Sequence, residues 1–367
     1  MDWRWTDSLG VALRGRGLPV RATDLARAAE RAGLGSLWVI EDYFDPGAYA
    51  IAAAAAAVTE RVVIGLGVVN PYTRHPALVA METAALAGIA PGRVVLGMGS
   101  SNRKWIEEQM AIPFKTPLRG LREGVEIVRR LLDGQRVTYT GEVFAVNDVA
   151  LEAAPRAPVP ILLGVKGPRA LALAAEVADG VHCSVLASPA HARRVRATTA
   201  SRSRADFVVI AYVLVAVSDD RAQARASVRP LIAHYLGVLH GQSILADAGL
   251  EPARTQPFRD ALMARRAAAD LVTDDLVDTF AAAGTPADCR AALARWVEAG
   301  LDAARIEKDL ASPEVRATIE ENFKLAEAMG MNGTPSYVIG KQVVIGAVGL
   351  DNLREKIGVA RCGKATC

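Results

Sequence analysis

Residues 1–304 predict an α/β fold, a TIM (β/α)8 barrel. Three observations predict it. Short β-branched runs alternate with amphipathic helical stretches eight times, as a parallel sheet with crossover helices requires. Several runs are continuously apolar, as in Val94-Val95-Leu96-Gly97-Met98, the pattern of strands buried on both faces. No Gly-x-Gly-x-x-Gly follows the first run, which separates the chain from an open dinucleotide-binding sheet.

In order, the strands are expected at Ser8–Arg14, Ser36–Asp42, Arg61–Asn70, Arg93–Ser100, Val159–Val165, Gly180–Val185, Phe207–Ser218 and Leu301–Ile306, the last poor in β-formers. Between them, Thr116-Pro117 reads as an N-cap followed by proline at the first helical position. Leu118, Leu121, Val125, Val128 and Leu132 then repeat at helical spacing up to Gly134. Thr285-Pro286-Ala287-Asp288 opens another helix in the same way. Two insertions interrupt the rhythm. Residues 136–152 alternate apolar and polar around Thr140-Gly141, which predicts a hairpin, and 222–280 form a mostly helical excursion. On the strand-to-helix side of a barrel such insertions cover the mouth.

Composition shifts near residue 305. The first 300 residues carry only Lys104, Lys115 and Lys166, whereas the short tail 305–367 carries Lys308, Lys324, Lys341, Lys356 and Lys364. The tail reads as a helix to Met329, two short strands Ser336–Ile339 and Gln342–Ile345, and a helix from about Leu350 to Val359.

Bulk properties narrow the function classes. The chain has 367 residues, 51% of them apolar, and a net charge of +3 with basic residues scattered singly. That leaves no basic arm for nucleic acid. The N-terminus has no apolar signal core and Ala50–Val58 is too short to span a bilayer, so the expectation is a cytoplasmic protein with no membrane partner. Cys183, Cys289, Cys362 and Cys367 form no Cys-x-x-Cys pair and the five histidines are dispersed, so neither a metal site nor a redox dithiol is expected.

Four segments at strand ends carry the candidate chemistry. Gly65-Leu66-Gly67-Val68-Val69-Asn70-Pro71 ends the third strand, and Asn70 has an amide to offer a ring edge. Leu96-Gly97-Met98-Gly99-Ser100 ends the fourth, where small residues let a ring or phosphate approach the backbone. Gly164-Val165-Lys166-Gly167-Pro168-Arg169 opens a helix whose free N–H groups and nearby cations suit a phosphate. Glu41-Asp42-Tyr43 ends the second. Its carboxylates become acid or base candidates if buried, while a tyrosine with a pKa near about 10 is a poor acid. Each segment has a plainer explanation as buried strand, turn punctuation or solvated rim. Arg74 and His75, next to Pro76, are expected to be structural.

The segments around Gly67, Gly97 and Gly164, with Glu176-Val177-Ala178-Asp179-Gly180, resemble the luciferase-like oxidoreductases. The resemblance covers residues 5–300 and is strongest to the deazaflavin-dependent methylenetetrahydromethanopterin reductases. It implies a coenzyme F420 site, or alternatively FMN. It also implies a non-prolyl cis bond at Gly67–Val68 behind the ring, with Gly97, Met98 and Gly99 beside it and Gly164, Lys166, Gly167, Pro168 and Arg169 toward the phosphate. Some members carry a glutamate where Ser100 stands, and many carry Asp-His where this chain has Asp42-Tyr43. That leaves Asp42, Glu41 and Tyr43 as the catalytic candidates. The expected function is hydride transfer between coenzyme F420 and a small organic substrate. The alternatives are an FMN-dependent monooxygenase acting with O2, or a catalytically inactive chimeric scaffold. Homodimers are common in the family. The tail, through Gly333-Thr334-Pro335, resembles the C-terminal part of a DsbA-type thioredoxin-fold protein, which implies a cis Thr334–Pro335 bond. It lacks the Cys-x-x-Cys on which thiol–disulfide exchange depends.

Overall fold

The computed structural model describes residues 9–14, 18–201, 203, 206–299 and, by their backbone, 336–339 and 342–345. The chain divides into two compact units, Met1–Asp309 and Leu310–Cys367.

In the first unit the strands β1 (Gly10–Leu13), β2 (Ser36–Val39), β3 (Val63–Val69), β4 (Val94–Met98), β7 (Ile161–Leu163), β8 (Gly180–Cys183) and β9 (Val208–Ala211) form one curled seven-stranded sheet in that order. Every ladder in it is parallel. β2, β4, β7 and β8 are buried at every residue, which is why they read as continuous apolar runs. The hairpin β5 (Val137–Thr140) and β6 (Ala145–Val149) is antiparallel, as expected for the first insertion.

The helices start and stop where local chemistry dictates. α3 (Pro76–Ile89) begins at His75, whose Nδ1 accepts the Ala77 N–H, so His75 is indeed structural. α4 (Pro117–Leu132) carries proline in its first turn, but Thr116 makes no side-chain cap. Gly134, just beyond it, has φ +78°, the left-handed conformation that glycine adopts without a Cβ penalty. α5 (Pro168–Val177) and α6 (Pro189–Thr199) follow β7 and β8 as crossover helices. Thr285 and Asp288 close a full capping box on α11 (Pro286–Glu298).

The expected seventh strand is two strands. Phe207–Ser218 breaks between β9 and β10 (Leu214–Val217), with Tyr212 and Val213 at the break. β10 pairs in parallel with β11 (Ala281–Gly284), a segment just past the end of the helical excursion to which the sequence assigned no element. Three alanines and a glycine carry no β-branched side chain, so propensity alone assigns no strand there. Pairing with Leu214–Val217 and complete burial hold it extended. The excursion itself consists of α7 (Arg221–Val238), α8 (Ser243–Asp247), α9 (Pro252–Met263), a short 3-10 turn and α10 (Asp274–Phe280). The expected strand Leu301–Ile306 and the Thr334–Pro335 bond lie outside the described residues. Within the second unit, β12 (Ser336–Ile339) and β13 (Gln342–Ile345) form the expected pair, antiparallel in register. Among the described residues no helix is long and apolar enough to cross a membrane, and no cluster of His, Cys, Asp and Glu suits a metal ion.

Candidate active site at the strand ends

The C-terminal ends of β3, β4 and β7 meet around one side chain, that of Val68. The Gly67–Val68 peptide bond is cis, and so is Tyr43–Phe44. A Cβ built on Gly97 would lie 2.2 Å from the Leu66 carbonyl oxygen and 2.9 Å from a Val68 methyl. At Gly99 it would lie 2.9 Å from the other Val68 methyl, and at Gly164 3.0 and 3.1 Å from both. The glycines of β4 and β7 therefore make a socket that Val68 fills. Their absent side chains admit Val68, and Val68 in turn fills the space at the strand ends. Met98, between Gly97 and Gly99, is wholly buried.

The rim beside this socket is a closed hydrogen-bond network. Glu41 is buried. Its carboxylate pairs with Arg74 at 2.6 Å, accepts the Ala48 N–H at 3.2 Å and accepts from the Tyr43 hydroxyl at 3.2 Å. Tyr43 Oη also meets Thr73 Oγ1 at 2.8 Å and accepts from Asn70 Nδ2 at 2.5 Å. Asn70 Oδ1 accepts the N–H groups of Tyr72 and Thr73. Glu41, Tyr43 and Asn70 thus lock the loops after β2 and β3 to each other, so the Asn70 amide is engaged by the rim. Burial pushes the Tyr43 phenol up to about 12, which removes it as an acid at neutral pH.

Asp42 differs from its neighbours. Its carboxylate is 24% exposed and lies 3.2 Å from Arg14 Nη2. Arg14 Nη1 donates to the Tyr235 hydroxyl of α7 at 2.8 Å. Burial raises the Asp42 pKa and Asp45 adds to the rise, while Arg14, His234 and Tyr235 oppose it. The helical excursion therefore supplies side chains to the rim, a contribution that sequence spacing does not reveal.

On the far side, Lys166 follows β7 and is half-buried. Burial lowers its pKa, and among the described residues no carboxylate lies within ion-pair distance of it. Gly167 then caps α5 without a side-chain hydrogen bond, which leaves the first N–H groups of that helix to another acceptor. Pro168 and Arg169 are exposed. Arg169 lines a groove between α4 and α5 with Arg119 and Arg122.

Inside the sheet lie two further side chains that sequence analysis did not single out. His182 of β8 is buried, and its ring meets Trp38 at 5.3 Å and Tyr212 at 4.1 Å between centroids. Among the described residues its Nε2 has no hydrogen-bond partner, and burial pushes its pKa down to about 4. The Tyr212 hydroxyl donates to the Gly67 carbonyl oxygen at 3.2 Å.

A parallel sheet with crossover helices and a bulge at Val68, inside the C-terminal end of β3, are the features of a luciferase-like barrel. The chain belongs to the luciferase-like monooxygenase family, whose model matches residues 12–303. The model of the DSBA-like thioredoxin domain matches residues 249–358. The chain is 32% identical to the 5,10-methylenetetrahydromethanopterin reductase of Archaeoglobus fulgidus over 277 residues, covering 71% of this chain and 81% of that one. It is 38% identical to the F420-dependent glucose-6-phosphate dehydrogenase of Beutenbergia cavernae over 169 residues, 42% of this chain and 50% of the relative. Among solved structures, the coenzyme F420-dependent tetrahydromethanopterin reductase of Methanopyrus kandleri superposes with a TM-score of 0.71 at 25% identity, over 80% of this chain and 90% of that one. The monooxygenase RslO1 of Streptomyces bottropensis shares the fold, with a TM-score of 0.59 at 22% identity over 77% and 83% of the two chains.

Proposed function

We propose that this enzyme moves hydride between coenzyme F420 and a small organic substrate. The observation that carries the proposal is the Val68 socket at the ends of β3, β4 and β7, in a chain whose relatives are named for F420. The residues present fit such a cofactor. Val68 and its glycines offer an apolar floor, and among the described residues Lys166 has no carboxylate within ion-pair distance. Bound, the deazaflavin supplies a hydride donor or acceptor on its ring. Val68 supports the ring and fixes which face meets the substrate. Lys166 and the N-terminus of α5 hold the phosphate, a charge-assisted arrangement at a helix start. Asp42 holds or releases the substrate proton, because its carboxylate is partly exposed and burial raises its pKa. Glu41 and Tyr43 keep the rim in place.

The enzyme acts as a homodimer in this reading. The outward side of α3 presents Leu78, Met81 and Ile89, 47%, 52% and 47% exposed, and α2 (Ala48–Ala56) beside it carries no charged residue. A second copy of the same apolar face is the partner that closes it.

Titrating the purified chain with oxidised coenzyme F420 and, separately, with FMN tests the assignment by fluorescence. Saturable F420 binding that is weakened by Lys166→Met is the expected result. Tight FMN binding with none of F420 would replace the proposal by a monooxygenase acting with O2. Binding of neither would leave an inactive scaffold.

A further inference from the structure

The Val68 socket has a support on its inner side. Tyr212 sits where the seventh strand breaks between β9 and β10, and its partly buried ring packs against the cluster of Trp38, Val63, Val95 and Leu162. There it stacks edge-on against His182 at 4.1 Å, and His182 in turn meets Trp38. The Tyr212 hydroxyl reaches the carbonyl oxygen of Gly67, 145 residues earlier, at 3.2 Å. That carbonyl belongs to the peptide group whose other end carries Val68. The fit is close. A Cβ on Gly67 would lie 2.2 Å from Tyr212 Oη, whereas the next nearest atoms, His182 Nε2 and Trp38 Cε3, lie at 3.2 Å. Trp38 is itself fixed by a 3.0 Å hydrogen bond from its Nε1 to Ser36 Oγ and by the bare Cα of Gly65, where a Cβ would meet its ring at 2.3 Å.

We propose that Tyr212 is a positioning residue for the cofactor floor: backed by His182 and Trp38, its hydroxyl holds the Gly67 carbonyl so that Val68 stays seated in the glycine socket of β4 and β7. The inference rests on the assignment of a deazaflavin to that floor. In this role Tyr212 acts through Gly67 and Val68. An uncharged His182 suits the role, because a charged ring there would lack any counterion within the sheet.

The test is a double-mutant cycle on the full chain with Tyr212→Phe, Gly67→Ala and the two combined. Two readouts are used, melting temperature without ligand and the affinity and absorption spectrum of bound oxidised coenzyme F420. Tyr212→Phe keeps the ring stack and deletes one hydrogen bond. It is expected to weaken F420 binding about five-fold and to shift the spectrum of the bound ring, while the melting temperature stays close to wild type. Gly67→Ala is expected to lower the melting temperature and abolish binding. In the combined variant the nearest contact recedes from 2.2 to 3.2 Å, so both are expected to recover in part. Tyr212→Phe with unchanged affinity and spectrum would overturn the inference. So would a combined variant no more stable than Gly67→Ala, a result that needs no cofactor. If wild type fails to bind F420, the cofactor assignment falls and takes the positioning role with it, while the melting cycle still decides whether Tyr212 props Gly67.

Discussion

Replacing Lys166 by methionine should move stability and binding in opposite directions. Its ammonium is half-buried beside the start of α5, its pKa is lowered by burial, and among the described residues no carboxylate pairs with it. For a base whose pKa falls on folding, the unfolded chain holds the proton more tightly. The charged group therefore destabilises the fold at every pH below its folded pKa, and the penalty fades as pH rises from there toward the unfolded value near about 10.4. Methionine keeps the apolar stem and removes the charge. Without ligand, Lys166→Met should melt higher at pH 7, by about 1–2 kcal/mol or roughly 2–4 °C, with the gap narrowing toward pH 10. With cofactor the order reverses, because the phosphate supplies the missing partner. A hydrogen bond between charged groups contributes about 1.5–3 kcal/mol, so the variant should bind coenzyme F420 about 10- to 150-fold more weakly. Differential scanning fluorimetry across pH and fluorescence titration read the two halves. A variant that melts lower without ligand and binds as wild type does would refute the reasoning, since it would show Lys166 to be a structural cation.

Three further outcomes are expected. Glu123 is buried and accepts the N–H groups of Glu142, Val143 and Phe144, each at 2.9 Å; burial raises its pKa, and these three bonds more than offset that rise. Its stabilisation is therefore full above the unfolded value near about 4.3 and is lost as pH falls through the lower folded value, and Glu123→Ala should cost about 2–4 kcal/mol in urea melts at pH 7. His182 titrates near 4 when folded because of burial, against an unfolded value near about 6.5, so unfolding free energy should fall by up to about 3 kcal/mol between pH 6.5 and 4, and His182→Leu should flatten that slope. Gly164→Ala sets a methyl 3.0 Å from Val68 and should destabilise by about 1–3 kcal/mol, with Val68→Ala recovering part of the loss in the double variant; independent, additive effects would disprove the socket.

The main sheet was legible because its strands are buried on both faces, a condition that writes itself into the sequence as unbroken apolar runs. Ser336–Ile339 and Gln342–Ile345 were legible for a related reason, since two runs rich in β-branched residues stand only two residues apart in the sequence. The Gly67–Val68 bond came from motif resemblance alone, and no composition or period marks it. The break at Tyr212 was hidden because Phe207–Ser218 has one continuous strand character, and only the three-dimensional path shows that two ladders share it. β11 was hidden because alanine and glycine carry no strand preference. Within the site, Glu41, Asp42 and Tyr43 were equivalent candidates on sequence. What separates them is the company each keeps. Arg74 reaches Glu41 from 33 residues away and Asn70 engages Tyr43, while Asp42 faces Arg14 and the side chains of α7. Those pairings are tertiary, and no local pattern encodes them.

The order of strands in the main sheet gives the Val68 socket a form of insulation. Its three contributors, β3, β4 and β7, are the central three of seven, with β1 and β2 on one flank and β8 and β9 on the other. β10 and β11, which precede the foreign-looking tail, make a separate ladder outside that sheet. Fraying that starts at β1 must dissolve β1 and β2 before it reaches the floor, whereas on the other flank Tyr212, just past β9, reaches the floor directly through the Gly67 carbonyl. All seven strands of that sheet end by Ala211, so the ladder that carries the socket takes none of its strands from the later part of the chain.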